Sequence, residues 1–286
     1  MRNSGRSLLL FFLMVALILS FSVSYADQFR IVIMQDEQGV AARFKSLEAY
    51  LGKKKVEVSF VPAPNYAFAA NMFSVGTADA MFSGSAIAAI FLMKDLAKPI
   101  VRPVSNDGKS TYHAVIIARK GAPKFNNRAD YFRGKRVIFT PLASAGEMFF
   151  RSIPGSMEVS ATIMKAPSHG AAIEILSKGT ADIAIVKNLV WDKLKDKYPE
   201  LVRVGEDTQE NPDNALIVSK IADAAAVSAV SDALLSLKDD MSPEARSVKD
   251  VMTIRGFTRT TAADFKYTLE LLKKAGVDRS FNFTFK

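Results

Sequence analysis

The stretch Gly134-Lys-Arg-Val-Ile-Phe-Thr-Pro-Leu-Ala-Ser-Ala-Gly-Glu147, running on into Met148-Phe149-Phe150-Arg151, decides how this chain folds. Val137, Ile138 and Phe139 form a short unbroken apolar run, the pattern of a strand buried on both faces of a parallel sheet. Thr140-Pro141 ends it, because proline has no amide hydrogen to give a ladder. Ser144 then falls where a helix N-cap is expected, ahead of the apolar Met148, Phe149 and Phe150. A strand passing through small residues into a helix start aims free backbone N–H groups at one spot, and the helix dipole makes that spot suit an anion. An ordinary strand-to-helix turn with a capping serine accounts for the same residues without any ligand.

Composition bounds the rest. Arg2 and Arg6 precede an apolar run from Leu8 to Leu19, and Ser24-Tyr25-Ala26 puts small residues at the −3 and −1 positions of a secretory cleavage site. Serines at 20, 22 and 24 interrupt the run before the ~20 apolar residues that a membrane anchor needs. Cleavage after Ala26 would remove 26 of 286 residues and leave 260, exported and soluble. Cysteine is absent, which excludes disulfides, thiolate metal sites, a cysteine nucleophile and a lipidated cysteine. The two leader arginines carry part of the net charge of +9, leaving +7. That excess serves solubility or the attraction of anionic solutes. The basic residues are scattered rather than gathered on one arm or helix, so nucleic acid is not expected as a partner.

Strand and helix signals alternate along the chain. Strands are expected at 29–34, at 56–60 closed by Pro62, at 78–82 and around Ile100 before Pro103, with helices at 44–51, 66–73 and 86–93 between them. One long β-type run spans Tyr112 to Ala118. A second series follows: strands at 135–139, Ile163, 183–186, 200–204 and 216–218, and helices at 170–176, 189–194, 227–237 and 265–272. Gly205 to Asn211, stopped by Pro212, has the composition of a linker. An internal echo joins the two series. Gly76-Thr-Ala-Asp79 precedes Ala80-Met81-Phe82, and Gly179-Thr-Ala-Asp182 precedes Ile183-Ala184-Ile185. Two similar α/β lobes follow from that echo, with a ligand between them at the loops leaving the strand ends.

These residues resemble the phosphate/phosphite/phosphonate-binding proteins. Gly134 to Gly146 is similar to that family's GK-x-apolar-x-F-x-DP-x-S-x-SG segment, and Ser168-His169-Gly170-Ala171-Ala172-Ile173-Glu174 to its SHDAAIE-type segment. Val190-Trp191-Asp192, Pro199-Glu200-Leu201 and Leu216 to Lys220 fall where the family has similar residues. The resemblance implies an α/β, two-lobed periplasmic binding protein of the second type. Each lobe would be a mixed, mainly parallel sheet flanked by helices, with two crossing strands as hinge. Lobe one would comprise residues 27–119 plus 208–286, and lobe two residues 120–207. The implied role is capture of a small anionic ligand and its delivery to the membrane permease of an ABC importer, by a monomer without a cofactor. A sensor module presenting its solute to a membrane signalling protein shares the pattern, as do some enzymes.

The resemblance also implies site residues. In the family a Ser-Thr-Ser run and a histidine hold the acid group; here the run is Ala143-Ser144-Ala145, and His169 matches the histidine. Ser144, Ala145 and Gly146 can still offer backbone N–H groups, but two hydroxyl donors are missing, each worth roughly 1.5–3 kcal/mol to a charged group. A less demanding anion or a different head group is implied. Tyr66 matches a pocket aromatic, Ser83 stands where the family has another, and Tyr112 lies on a crossing segment. The loop Gln35-Asp36-Glu37-Gln38-Gly39 carries two carboxylates that would serve an amino group or start a helix favourably. His113 reads as a solvent-facing strand histidine or a crossing-segment residue. His169 reads as an oxyanion donor or as a plain helix-start residue, and Trp191 as core. No G-x-S-x-G, S-x-x-K, H-E-x-x-H or P-loop is present, and the two histidines lie far apart, so neither an enzyme nor a metal site is expected.

Overall fold

The structure, a computed structural model, describes residues 28–34, 40–142 and 145–283. In chain order the strands are β1 Phe29–Met34, β2 Val58–Ala63, β3 Ala80–Ser83, β4 Ala97–Ser105, β5 Thr111–Tyr112, β6 Ala114–Arg119, β7 Arg136–Phe139, β8 Thr162–Lys165, β9 Ile183–Lys187, β10 Leu201–Glu206, β11 Asn211–Pro212, β12 Ala215–Ser219 and β13 Ile254–Arg259. The helices are α1 Val40–Lys53, α2 Tyr66–Ser74, α3 Ser85–Met93, α4 Ala145–Arg151, α5 Ser156–Val159, α6 His169–Ser177, α7 Asn188–Leu194, α8 Ala224–Ser236, α9 Pro243–Met252 and α10 Lys266–Lys274. None is long and apolar enough to cross a membrane. The expected leader and its cleavage site lie outside the described residues.

Two sheets organise the chain. The larger has the order β13-β4-β12-β3-β1-β2, the smaller β10-β6-β9-β7-β8. Both are mixed: β1, β2 and β3 pair in parallel, as do β7, β8 and β9, while β12, β13 and β6 run against their neighbours. Each sheet is buried on both faces. Ile31, Ala80 and Leu216 point into one cluster and Val32, Met81 and Ile217 into another; Val137 and Ile183 likewise oppose Ile138 and Ala184. Alternating side chains of a strand leave opposite faces, so unbroken apolar runs are what such sheets require.

The repeated Gly-Thr-Ala-Asp segment performs the same task in both sheets. Gly76 and Gly179 adopt φ of 75° and 78°, the left-handed turn that ends α2 and α6. Asp79 accepts the Arg30 backbone N–H at 2.8 Å and returns its own N–H to the Arg30 carbonyl at 2.9 Å. Asp182 does the same with Arg136, at 2.8 and 2.9 Å. The arginine side chains extend the match: Arg30 donates to the Gly76 carbonyl and Arg136 to the Gly179 carbonyl. In each unit this clamp locks the start of one strand beside the next, giving the registers Ile31 with Ala80 and Val137 with Ile183.

The structure differs from the sequence expectation in several places. Strand β4 runs through Pro99 and Pro103 rather than stopping before the second. It is a central strand, and its ladders to β12 and β13 each contain a register shift, the irregularity that accommodates a missing N–H. Pro62 does not close β2, which lies at a sheet edge where proline is tolerated. The run from Tyr112 to Ala118 divides at His113. Tyr112 pairs with Asn211 in a two-stranded ribbon, while Ala114 onward enters the smaller sheet. Part of the expected linker is ordered, with β10 extending to Glu206 and β11 containing Pro212. Helix α9 and strand β13 had no expectation.

Candidate functional site

Strands β1 and β7 are equivalent in the two units, as are β2 and β8, and the ends of all four border one cavity of about 610 Å³. Met34 closes β1, Pro64 to Ala67 follow β2, Thr140 to Leu142 follow β7, and Lys165 to Pro167 end and follow β8. Glu147 and Phe283 complete the wall. The strand-to-helix turns are built alike. Asn65 caps α2 by accepting the Phe68 N–H at 2.9 Å, and Ser168 caps α6 by accepting the Ala171 N–H at 3.2 Å.

The polar groups of this cavity are few. Thr140 is 3% exposed, and its Oγ1 makes no hydrogen bond. A buried hydroxyl without a partner is costly unless something else satisfies it. The Lys165 side chain is exposed and supplies the cavity's positive charge. Glu147 is buried at 1% exposure and is not free to repel an anion. Its Oε1 accepts from Arg151 Nε at 2.9 Å, and its Oε2 accepts the Leu142 N–H at 3.1 Å. Leu142 has φ of 56°, a left-handed conformation that costs a non-glycine residue on the order of 1–2 kcal/mol. The Glu147 carboxylate holds that strained turn in place.

A second polar group lies nearer the crossing segments. Ser85 Oγ and the Tyr112 hydroxyl are 2.5 Å apart. Lys187 Nζ sits 4.9 Å from the Tyr112 ring centroid and pairs with Asp213. Burial pushes the His169 imidazole down to about 3, and the Lys187 charge pushes the same way. His169 is therefore neutral at physiological pH, and its buried Nδ1 has no hydrogen-bond partner even though the residue as a whole keeps some exposure.

The residues expected from sequence thus fall in two groups. Tyr66 lines the cavity, and buried Gly146 sits beside Glu147 in α4, which begins at Ala145. Ser144, like Ala143, Asp36 and Glu37, lies outside the described residues. Ser83, Tyr112 and His169 do not line the cavity. Ser83 is 1% exposed and donates to the Gly84 carbonyl at 3.0 Å. His113 lies between β5 and β6 with its side chain 18% exposed, and its Nδ1 meets Glu210 at 2.8 Å. Trp191 is core, 4% exposed beside Ile173 and Leu176. Sequence reasoning passed over Thr140, read only as a strand end, and Lys165, read only as one of many scattered lysines.

The crossing region is also held by Asp207, which burial pushes up and which accepts a 2.5 Å hydrogen bond from the Tyr267 hydroxyl. Leu142 and Met148 of the second unit are buried in the same cluster as Ile87, Phe91 and Leu272 of the first. The two units therefore meet through the segment that bears the cavity's β7 wall. Among the described residues no group of histidine, aspartate and glutamate could hold a metal ion.

Comparison with known proteins agrees with this architecture. The family model for the periplasmic substrate-binding protein of phosphonate ABC transporters matches residues 29–265. PhnD1 of Prochlorococcus marinus, solved with methylphosphonate, is 17% identical, with a TM-score of 0.72 over 87% of this chain and 98% of that one. XAC2383 of Xanthomonas citri, solved with ATP, is 16% identical, with a TM-score of 0.69 over 87% and 97%. PA3383 of Pseudomonas aeruginosa, a binding-protein component of a phosphonate transporter, is 13% identical, with a TM-score of 0.68 over 87% and 86%. They share the two-lobed fold of type 2 periplasmic binding proteins. No curated protein matches the sequence.

Proposed function

Since the chain belongs to the family of periplasmic substrate-binding proteins of phosphonate ABC transporters, we propose that its solute is a small anion held between the two lobes with its acidic group at Thr140 and Lys165. The family fixes the broader role: a small solute is bound, not chemically converted, and is passed to a membrane permease from the periplasm. The observation that carries the anion is the unpartnered, buried Thr140 Oγ1 in a cavity whose lining also includes Lys165, at the strand ends where both units meet. A phosphonate or phosphate oxygen there receives a charge-assisted hydrogen bond, which is shorter and stronger than a neutral one.

In this reading Tyr66 covers the ligand, and Ser144, Ala145 and Gly146 help hold its acid group as the family resemblance implies. Ser83, Tyr112 and His169 form a neutral polar backing near the crossing segments. The inserted lobe in this reading is residues 120–207, joined to the rest through β6, and closure turns about the ribbon of β5 and β11. The working form is a monomer, mature from Asp27.

Calorimetry with inorganic phosphate and methylphosphonate tests the proposal. Lys165→Met should weaken both, by roughly 1.5–3 kcal/mol for a lost bond to a charged group, and Thr140→Val by about 1 kcal/mol. Unchanged affinity in both variants would move the anion elsewhere.

A further inference from the structure

We propose that the cavity accepts a phosphonate or phosphate monoester bearing an apolar arm, an inference that rests on the anion reading above and extends it from the head group to the rest of the ligand. The first support is room. At about 610 Å³ the cavity is in the range that holds drug-sized ligands. With roughly 30 Å³ per liquid water, that space equals about 20 waters. A bare oxyanion at Thr140 and Lys165 would leave most of it to solvent.

The second support is the lining. Away from Thr140 and Lys165 the walls are Met34, Tyr66, Leu142, Ala166, Pro167 and Phe283, drawn from both lobes and the chain's end. Leu142 and Ala166 are buried and face the cavity with apolar surface. The Oδ1 of Asn65 is already committed to capping α2. Apolar walls around one charged corner match a ligand with an acid head and a hydrocarbon body.

The third support is the absence, among the described lining residues, of a carboxylate free to pair with an ammonium. Glu147 is the one acid there, and both its oxygens are occupied, one of them by a guanidinium. An ammonium at that wall would compete with Arg151 for the same charge. A methylene in its place buries without such competition, at roughly a fourfold gain in affinity for each one removed from water.

The experiment is a calorimetric series on the purified protein with inorganic phosphate, methyl-, propyl- and hexylphosphonate, and 2-aminoethylphosphonate, which has nearly the shape of propylphosphonate. Propylphosphonate should bind at least ~10-fold tighter than methylphosphonate, and hexylphosphonate, with three further methylenes, up to ~60-fold tighter again. Propylphosphonate should also exceed its amino counterpart by at least ~10-fold. Phe283→Ala and Met34→Ser should each lower the hexyl-to-methyl affinity ratio. A flat alkyl series, or aminoethylphosphonate binding as tightly as propylphosphonate, would overturn the apolar arm and leave the anion site standing. Failure of every phosphonate and of phosphate would overturn both.

Discussion

Replacing Arg151 with methionine tests the link between fold and site most directly. Glu147 is 1% exposed and the Arg151 side chain 12%, so this ion pair is shielded from water. Methionine keeps much of the arginine's bulk but leaves a buried carboxylate beside a cavity that should receive an anion. Breaking a buried pair from one side costs about 3–5 kcal/mol, chiefly because the remaining charge is uncompensated. At roughly 2–4 °C per kcal/mol for a chain of this size, the melting temperature should fall by about 6–20 °C. Methylphosphonate binding should weaken as well, because the stranded carboxylate repels an anion in the cavity. Glu147→Gln combined with Arg151→Met removes both charges while an amide oxygen can still accept the Leu142 N–H. The double variant should regain at least ~2 kcal/mol relative to Arg151→Met alone. Urea unfolding and calorimetry on all four members of the cycle give the coupling. If the double variant is no more stable than Arg151→Met, the carboxylate is not the stranded charge and the account of this turn fails.

Three other outcomes follow from the hydrogen bonds and burial described above. His169 titrates at about 3 in the folded protein, below its ordinary 6.5, so the unfolded chain takes the proton first. Its contribution is complete above pH 6.5 and is lost as the pH falls toward 3, by at most about 1.4 kcal/mol per pH unit; His169→Gln should flatten that part of a stability-against-pH curve, and identical curves would count against a buried neutral imidazole. Tyr267→Phe removes the hydroxyl that donates to buried Asp207 and should cost about 1.5–3 kcal/mol, less in acid where Asp207 is protonated, measurable by urea unfolding at two pH values. Asp182→Ala and Asp79→Ala should each cost about 1–2 kcal/mol, discounted for side chains 38% and 30% exposed, with the larger loss at Asp182, where the arginine approaches to 2.7 Å rather than 3.7 Å; equal losses would mean that only the backbone bond matters.

What the sequence determined is whatever depends on neighbours along the chain. The apolar runs at 31–33, 137–139 and 183–186 specify strands buried on both faces, because they are too short for a buried helix such as 85–93. The two Gly-Thr-Ala-Asp segments specify a left-handed helix end and a strand clamp in each unit, since glycine alone takes that turn cheaply and the aspartate reaches a backbone one strand away. From those features the two-lobed α/β architecture and a site at the strand ends could be read. Tertiary structure decided the rest. Pro99 and Pro103 remain inside β4 because its ladders to β12 and β13 shift register, and the sequence of β4 carries no trace of that. The run from Tyr112 to Ala118 divides at His113 although its apolar pattern does not, because pairing partners sit in two different sheets. Thr140 looked like a strand end and Lys165 like an ordinary surface lysine. Only the parallel pairing of β7 with β8, beside the matching strands of the other unit, brings that hydroxyl and that ammonium to one cavity. The sign of the site's charge was likewise not local. Glu147 would repel an anion were it not for Arg151, and His169 is neutral because folding buries it near Lys187. Burial and long-range contact set the cost of each charge, and neither is a property of adjacent residues.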